Sequence, residues 1–159
     1  LTRLLLVCAA NLCRSPMAEA VLRAHAGRLG IGPVASAGVW ASSRRQEADR
    51  RALQALAQRG YGLDRRWRSR RVRAEDFDEH DLVLAMDRDV LRGLEALRPA
   101  RSPARLGLFL HGMTGLGRDE MPDPYFGTAE GFERVLDLIE ARVLAWPDPA
   151  SLGRHFGTA

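Results

Sequence analysis

Short apolar runs alternate along this chain with stretches whose apolar residues recur every three or four positions. Leu4-Leu5-Leu6-Val7 is uninterrupted and too short for a helix, which predicts a strand buried on both faces. From Pro16 to about Leu29, Ala18, Val21 and Leu22 fall on one helical face, and the Gly-rich turn Gly27–Pro33 is expected to stop that helix. Val34–Gly38 predicts a short second strand. A second helix is expected from Gln46 to about Arg59, with Ala52, Leu53, Leu56 and Ala57 inward and Gly60 as its stop. Asp81–Met86 and Arg105–Leu110 read as the third and fourth strands, with a helix from Arg88 to about Leu97 between them. A long loop from His111 to about Thr128 leads to a last helix, Ala129 to about Leu144.

Strands that alternate with helices predict an α/β fold: three layers, with a four-stranded parallel sheet covered by helices on both faces. The expected organisation is a single catalytic domain over residues 1–145 and a loosely packed tail over residues 146–159, where Pro, Gly and Asp accumulate. In such sheets ligands sit at the carboxyl ends of the strands. Cys8 follows the first strand, Ser36 and Gly38 end the second, and Asp87 follows the third, so all of these groups are expected at one edge.

Composition narrows the class. With 46% hydrophobic and 28% charged residues the chain is expected to be globular rather than disordered. No apolar stretch approaches the ~20 residues of a membrane span. Leu4–Val7 is too short and wrongly flanked for a signal peptide, so a cytoplasmic location is expected, without membrane insertion. The formal charge is +4, and all 24 basic residues are arginine. Arg65, Arg66, Arg68, Arg70, Arg71 and Arg73 crowd together. They read either as a solvated face or as a docking patch for acidic partners. No recognition motif or aromatic stripe accompanies them, so nucleic acid is not expected as a partner. The two cysteines, Cys8 and Cys13, make neither a disulfide framework nor a zinc site. His25, His80, His111 and His155 are scattered and read as structural or surface residues.

The chemistry concentrates in Cys8-Ala9-Ala10-Asn11-Leu12-Cys13-Arg14-Ser15-Pro16. A loop between a strand and a helix points its N–H groups and the helix N-terminus at one spot, where an anion is held. The residues Ala9, Ala10, Asn11, Leu12, Cys13, Arg14 and Ser15 are expected to curl round one phosphoryl group. Arg14 would bind two of its oxygens through a planar fork that lysine lacks. The same positive surroundings favour the thiolate of Cys8, the expected nucleophile. Ser15 can donate to that sulfur. A phosphatase of this kind also needs a general acid, and Asp123, in Met121-Pro122-Asp123-Pro124-Tyr125-Phe126-Gly127, is the candidate, flanked by prolines that fix its direction. By itself, Asp-Pro is also ordinary turn chemistry.

The chain resembles the low-molecular-weight protein tyrosine phosphatases, especially their bacterial branch. The resemblance rests on Val7-Cys8-x5-Arg14-Ser15-Pro16-Met17-Ala18-Glu19 and Asp123-Pro124-Tyr125, with Ser36-Ala37-Gly38 and Met86-Asp87 in order between them. It implies hydrolysis of phosphotyrosine through a cysteinyl-phosphate. Cys8 would be the nucleophile, Arg14 the binder of phosphate and transition state, and Asp123 the general acid and then base. It implies no metal or cofactor. Substrates would be phosphotyrosine-containing proteins, with a bacterial tyrosine kinase or proteins of polysaccharide export as candidates, and the enzyme is expected to be a monomer or weak dimer. Asn11 matches a residue in a left-handed conformation that braces the loop, with Ser15 and Ser36 as expected partners; Asp87 matches a supporting acid.

The chain departs from the family pattern at the rim. Ala10 stands where many members have Gly, so its backbone must keep a negative φ. Ala9 is small and should widen the pocket mouth. Trp67 occupies a place where a His usually braces Asn11. Trp40 falls early in the loop that usually supplies an aromatic wall. Leu12, Trp40, Tyr125 and Phe126 are the expected substrate rim, and only Tyr125 keeps a hydroxyl of the family's paired tyrosines. Cys13 reads either as an apolar filler or as a redox guard that captures an oxidised Cys8 in a disulfide.

Rival functions lack their residues. Arsenate reductase on the same fold needs a further cysteine pair, and none follows Cys13. Protein-arginine phosphatases carry Thr where this chain has Leu12, whose bulk suits a phenyl ring. A phosphocarrier module would need neither Arg14 nor Asp123.

Overall fold

The computed structural model describes residues 1–113 and 119–156; part of the expected long loop and the last residues of the tail lie outside them. Four strands, β1 (Thr2–Cys8), β2 (Ile31–Gly38), β3 (Leu82–Ala85) and β4 (Arg105–Leu108), form one sheet in the order β2-β1-β3-β4. All pairings are parallel. The predicted α/β fold is borne out. The uninterrupted apolar run has the expected cause: Leu4 and Leu6 enter one core layer while Leu5 and Val7 enter the other. Helices α1 (Arg14–Leu29), α2 (Arg50–Gln58) and α5 (Ala129–Leu144) cover the first face; α3 (Asp76–Glu79) and α4 (Arg88–Leu97) belong to the second.

The order places β1 at the point where connections leave the sheet in opposite directions, the crevice where open α/β sheets bind ligands. Cys8 ends β1 in register with Gly38 at the end of β2.

Several predicted boundaries move for identifiable reasons. The segment read as a turn, Gly27–Pro33, instead ends α1 at a left-handed Gly30 (φ 69°) and starts β2 at Ile31. Pro33 is tolerated because β2 is an edge strand, where a missing N–H costs no ladder bond. Helix α2 begins at Arg50, capped by Asp49, whose carboxylate accepts from the Arg51 N–H at 2.8 Å. Gln46 is diverted from the helix: its N–H donates to Ser69 Oγ and its carbonyl accepts from the Ser69 N–H. Ala55, not Ala57, completes the buried face with Ala52 and Leu56; Ala57 is exposed.

The tail is not loosely packed over residues 146–156. A 3-10 turn (Pro149–Ser151) and α6 (Leu152–His155) bring Leu152 and Phe156 into the core. Gly107 in β4 makes room, since a Cβ there would lie 2.5 Å from the Phe156 carbonyl. Arg142 of α5 anchors the turn from beneath, donating to the carbonyls of His111 (2.8 Å) and Ala145 (2.5 Å) under the rings of Trp146 and Phe156. Burial pushes this guanidinium down to about 10.

Candidate active site

The loop from Cys8 to Arg14 passes so close to the end of β2 that Gly38 cannot be larger. A Cβ on Gly38 would meet the Ala9 carbonyl oxygen at 2.6 Å, and Ala10 C and Asn11 N at 2.9 Å. Those are backbone atoms that cannot swing aside. Gly38→Ala should therefore displace the loop, weakening inhibition by inorganic phosphate and lowering kcat/KM, at a stability cost of about 1–3 kcal/mol. Phosphate inhibition constants and thermal melts measure the two effects separately; unchanged phosphate inhibition would show that the loop has another way to settle.

Asn11 takes the left-handed conformation (φ 59°), the only non-glycine among the described residues to do so, and Ala10 keeps negative φ as its Cβ demands. The fully buried Asn11 amide donates to Ser15 Oγ (2.8 Å) and Ser36 Oγ (3.0 Å), and its oxygen accepts from the Arg70 N–H (3.0 Å). Ser15 thus serves Asn11 as an acceptor, which leaves its hydrogen for the sulfur of Cys8, 3.0 Å away, rather than for the Ala37 carbonyl at 3.4 Å. The Asn11 N–H also donates to that sulfur at 3.3 Å. Behind Asn11, Ser36 donates to Glu19 (2.6 Å), and Trp67 Nε1 donates to the same carboxylate oxygen (3.0 Å). The indole therefore supports the brace through Glu19 and Ser36, in place of a histidine at Asn11.

Arg14 starts α1 and is buried to 3% exposure. Its Nη1 donates to Asp87 Oδ2 (2.7 Å) and to the Met121 carbonyl (3.1 Å), and its Nη2 lies 3.8 Å from Asp123 Oδ2. Burial alone would lower its pKa, but the sulfur of Cys8 and the carboxylates of Asp87 and Asp123 outweigh burial and hold the guanidinium charged. Asp87 is held in turn, because its other oxygen caps α4 by accepting from the Val90 N–H (2.8 Å).

Two arginines pin the segment bearing Asp123. Arg88 pairs bidentately with Asp119, and its N–H donates to Glu120 (2.8 Å), while the Met121 N–H donates to the Met86 carbonyl. On the far side Arg51, paired with Asp49, donates to the Tyr125 carbonyl (2.9 Å) and lies over the rings of Tyr125 and Phe132. Asp123 accepts from the Tyr125 N–H (3.1 Å) and keeps half of its side chain exposed.

These groups enclose a pocket of about 300 Å³ lined by Cys8, Ala9, Ala10, Leu12, Cys13, Arg14, Asp123, Tyr125 and Phe126. Ser15, Ser36 and Asp87 stand behind the lining. Trp40 does not join it. Its backbone is tied to the Ala9 carbonyl, but its ring leans over Gly93 of α4, with Cζ2 3.6 Å from the place a Cβ there would take. Phe126 is almost fully exposed at the mouth. A second cavity, about 280 Å³, opens at the other end of the sheet around Arg3, His80, Asp81 and Arg105, away from both cysteines. The site roles of Arg51, Arg70 and Arg88 are not read from the sequence, where Glu19 stands only as the last residue of the family motif. Of the three arginines only Arg51 left a signal, through the capping Asp49 two residues before it.

A buried arginine, a cysteine ending the central strand and a carboxylate facing them across a pocket define a cysteine-dependent phosphatase of the small α/β class. Residues 3–155 match the family model described as low molecular weight phosphotyrosine protein phosphatase. The low molecular weight protein-tyrosine-phosphatase of Streptomyces coelicolor is 40% identical over 145 residues, covering 87% of each chain. A phosphatase structure from Vibrio cholerae superposes with a TM-score of 0.79 at 39% identity, covering 91% of this chain and 93% of that one. The tyrosine phosphatase Wzb of Escherichia coli K30, crystallised with sulphate, gives 0.78 at 29% identity, covering 92% and 96%. The chain belongs to the low-molecular-weight protein-tyrosine-phosphatase family, and is thus a phosphoric monoester hydrolase. No helix among the described residues is long and apolar enough to cross a membrane.

Proposed function

We propose that the enzyme hydrolyses protein phosphotyrosine by in-line attack of the Cys8 sulfur on phosphorus. The phosphoryl oxygens would lie against the N–H groups of residues 9–15 and the Arg14 guanidinium. Asp123 would protonate the departing tyrosine oxygen, and then take a proton from the water that cleaves the cysteinyl-phosphate. The observation that carries this reading is the approach of Asp123 to Arg14 across a pocket that Cys8 also lines. The Escherichia coli K30 relative was crystallised with sulphate, a tetrahedral anion of the same shape as the phosphoryl group proposed here. Leu12, with Tyr125 and Phe126, gives the walls the apolar character a phenyl ring requires.

Phosphotyrosine, phosphoserine and phosphoarginine offered at matched concentration test the reading. Phosphotyrosine should turn over fastest; faster release from phosphoarginine would reassign the substrate.

We also propose Cys13 as the redox guard of the nucleophile. Peroxide would convert Cys8 to a sulfenic acid; the Cys13 sulfur would then displace hydroxide, which leaves as water, to form the disulfide. Burial, then the charges of Asp49, Cys8 and Asp123, push the Cys13 thiol up to about 12. Because a thiolate is the attacking form, capture should quicken by about tenfold per pH unit between neutrality and pH 9. Mass spectrometry after a peroxide pulse should show the intramolecular disulfide gaining over Cys8 sulfonate as pH rises. Sulfonate throughout that range would leave Cys13 as a packing residue.

A further inference from the structure

The arginine-rich segment read as either a solvated face or a docking patch proves to be joined to the active-site loop. The Gly38 N–H donates to the Arg70 carbonyl (2.9 Å), the Val72 N–H to the Gly38 carbonyl (3.0 Å), and the Arg70 N–H to Asn11. The loop between β2 and α2 is joined to both. The Trp40 N–H donates to Ala9 and the Asp49 N–H to Leu12, while Gln46 exchanges bonds with Ser69 and Arg71 Nε donates to the Ala41 carbonyl. Two basic segments distant in sequence therefore border the same side of the pocket mouth.

Within them the guanidinium groups divide sharply. Arg70 is half-buried and bound bidentately by buried Asp76; Arg51 is taken by Asp49, and Arg68 and Arg73 lie near Glu47 and Glu79. Arg44, Arg45, Arg50 and Arg71 are exposed, and among the described residues none has a carboxylate oxygen within 4.0 Å. Across the mouth, Asp119 and Glu120 are engaged by Arg88. Among the described residues, the mouth thus presents this unpaired positive charge on the side of the two basic segments, while the acids across it are taken.

We infer that the enzyme selects phosphotyrosine embedded in acidic peptide sequence, with Arg44, Arg45, Arg50 and Arg71 receiving the flanking Asp and Glu side chains. The inference rests on the phosphotyrosine reading above and names the sequence context that the reading leaves open. Continuity with the pocket favours a peptide over a lipid or nucleic-acid surface, because a chain whose phosphotyrosine enters the pocket must lay its neighbours beside that rim. Exposed charge pairs of this kind act largely through encounter rate and are weakened by salt.

Phosphotyrosine peptides of equal length, flanked by Asp and Glu or by Ser and Ala, are compared with free phosphotyrosine as the internal reference. At low ionic strength the acidic peptide should exceed the neutral one in kcat/KM by about tenfold, and the ratio should shrink in 0.5 M salt. The double variant Arg44→Glu, Arg50→Glu removes two guanidiniums that make no side-chain hydrogen bond in the fold, and should erase the preference. Equal kcat/KM for the two peptides, or a preference that survives the double variant, overturns the inference. So does retention on single-stranded DNA or anionic vesicles without any peptide preference. If free phosphotyrosine itself is not hydrolysed, the fault lies with the phosphotyrosine reading instead.

Discussion

Cys8→Ser is expected to reduce hydrolysis of aryl phosphates to background while inorganic phosphate still binds. A serine hydroxyl is a poor nucleophile unless a base takes its proton, and no histidine lines the pocket. Ser15, 3.0 Å from the sulfur, is itself held as an acceptor by Asn11 and is not a base. The oxygen would therefore sit in the cradle as an unreactive hydroxyl. The groups expected to hold phosphate, Arg14 and the loop N–H groups, are unchanged by the substitution. Phosphate affinity by calorimetry and turnover of an aryl phosphate separate these effects. Substantial turnover by the serine variant would remove Cys8 from the mechanism.

Asp123→Ala should lower kcat/KM for phosphotyrosine by about 10²–10⁴-fold. The loss should diminish as the leaving group improves, because a nitrophenolate departs without a proton while a tyrosine oxygen needs one. The segment is pinned independently of the Asp123 side chain, by Arg88 on one side and Arg51 on the other, so removing the carboxylate should leave the pocket walls in place. A uniform loss across leaving groups would point to Asp123 as an electrostatic partner of Arg14 rather than the acid.

The parts of this molecule legible in its sequence are those with a local cause. Leu4–Val7 announces a strand because both of its faces are buried, and the strand–loop–helix order around Cys8 marks an anion cradle because any such loop directs N–H groups inward. Asn11 could be placed in the left-handed region, with Ser15 and Ser36 as partners, through the family resemblance. What stayed hidden depends on segments that meet only in the folded chain. Trp67 is 48 residues from Glu19, and nothing near it in sequence says which carboxylate its indole will reach. Arg70 contributes to the brace through its backbone N–H, a group every non-proline residue carries, so its identity holds no clue. Pro33 misled because a proline read as a turn also suits an edge strand, and edge position is a property of the whole sheet. The tail misled for a similar reason: Phe156 finds its place in the core against Gly107 of β4, far earlier in sequence, and over the guanidinium of Arg142.

The brace around Asn11 also bears on how the chain acquires its activity. Asn11 is satisfied by Ser15 in its own loop, by Ser36 on the neighbouring strand and by Arg70 from beyond the second helix. A folding intermediate that has joined only β1, α1 and β2 would leave the amide oxygen unmatched, and the left-handed turn beneath the nucleophile would lack one of its restraints. The turn beneath the nucleophile is therefore fully restrained only with residues 67–72 docked. Any change that loosens the packing of that distant segment would thus reach the nucleophile's loop through a single backbone N–H, without touching a residue of the loop itself.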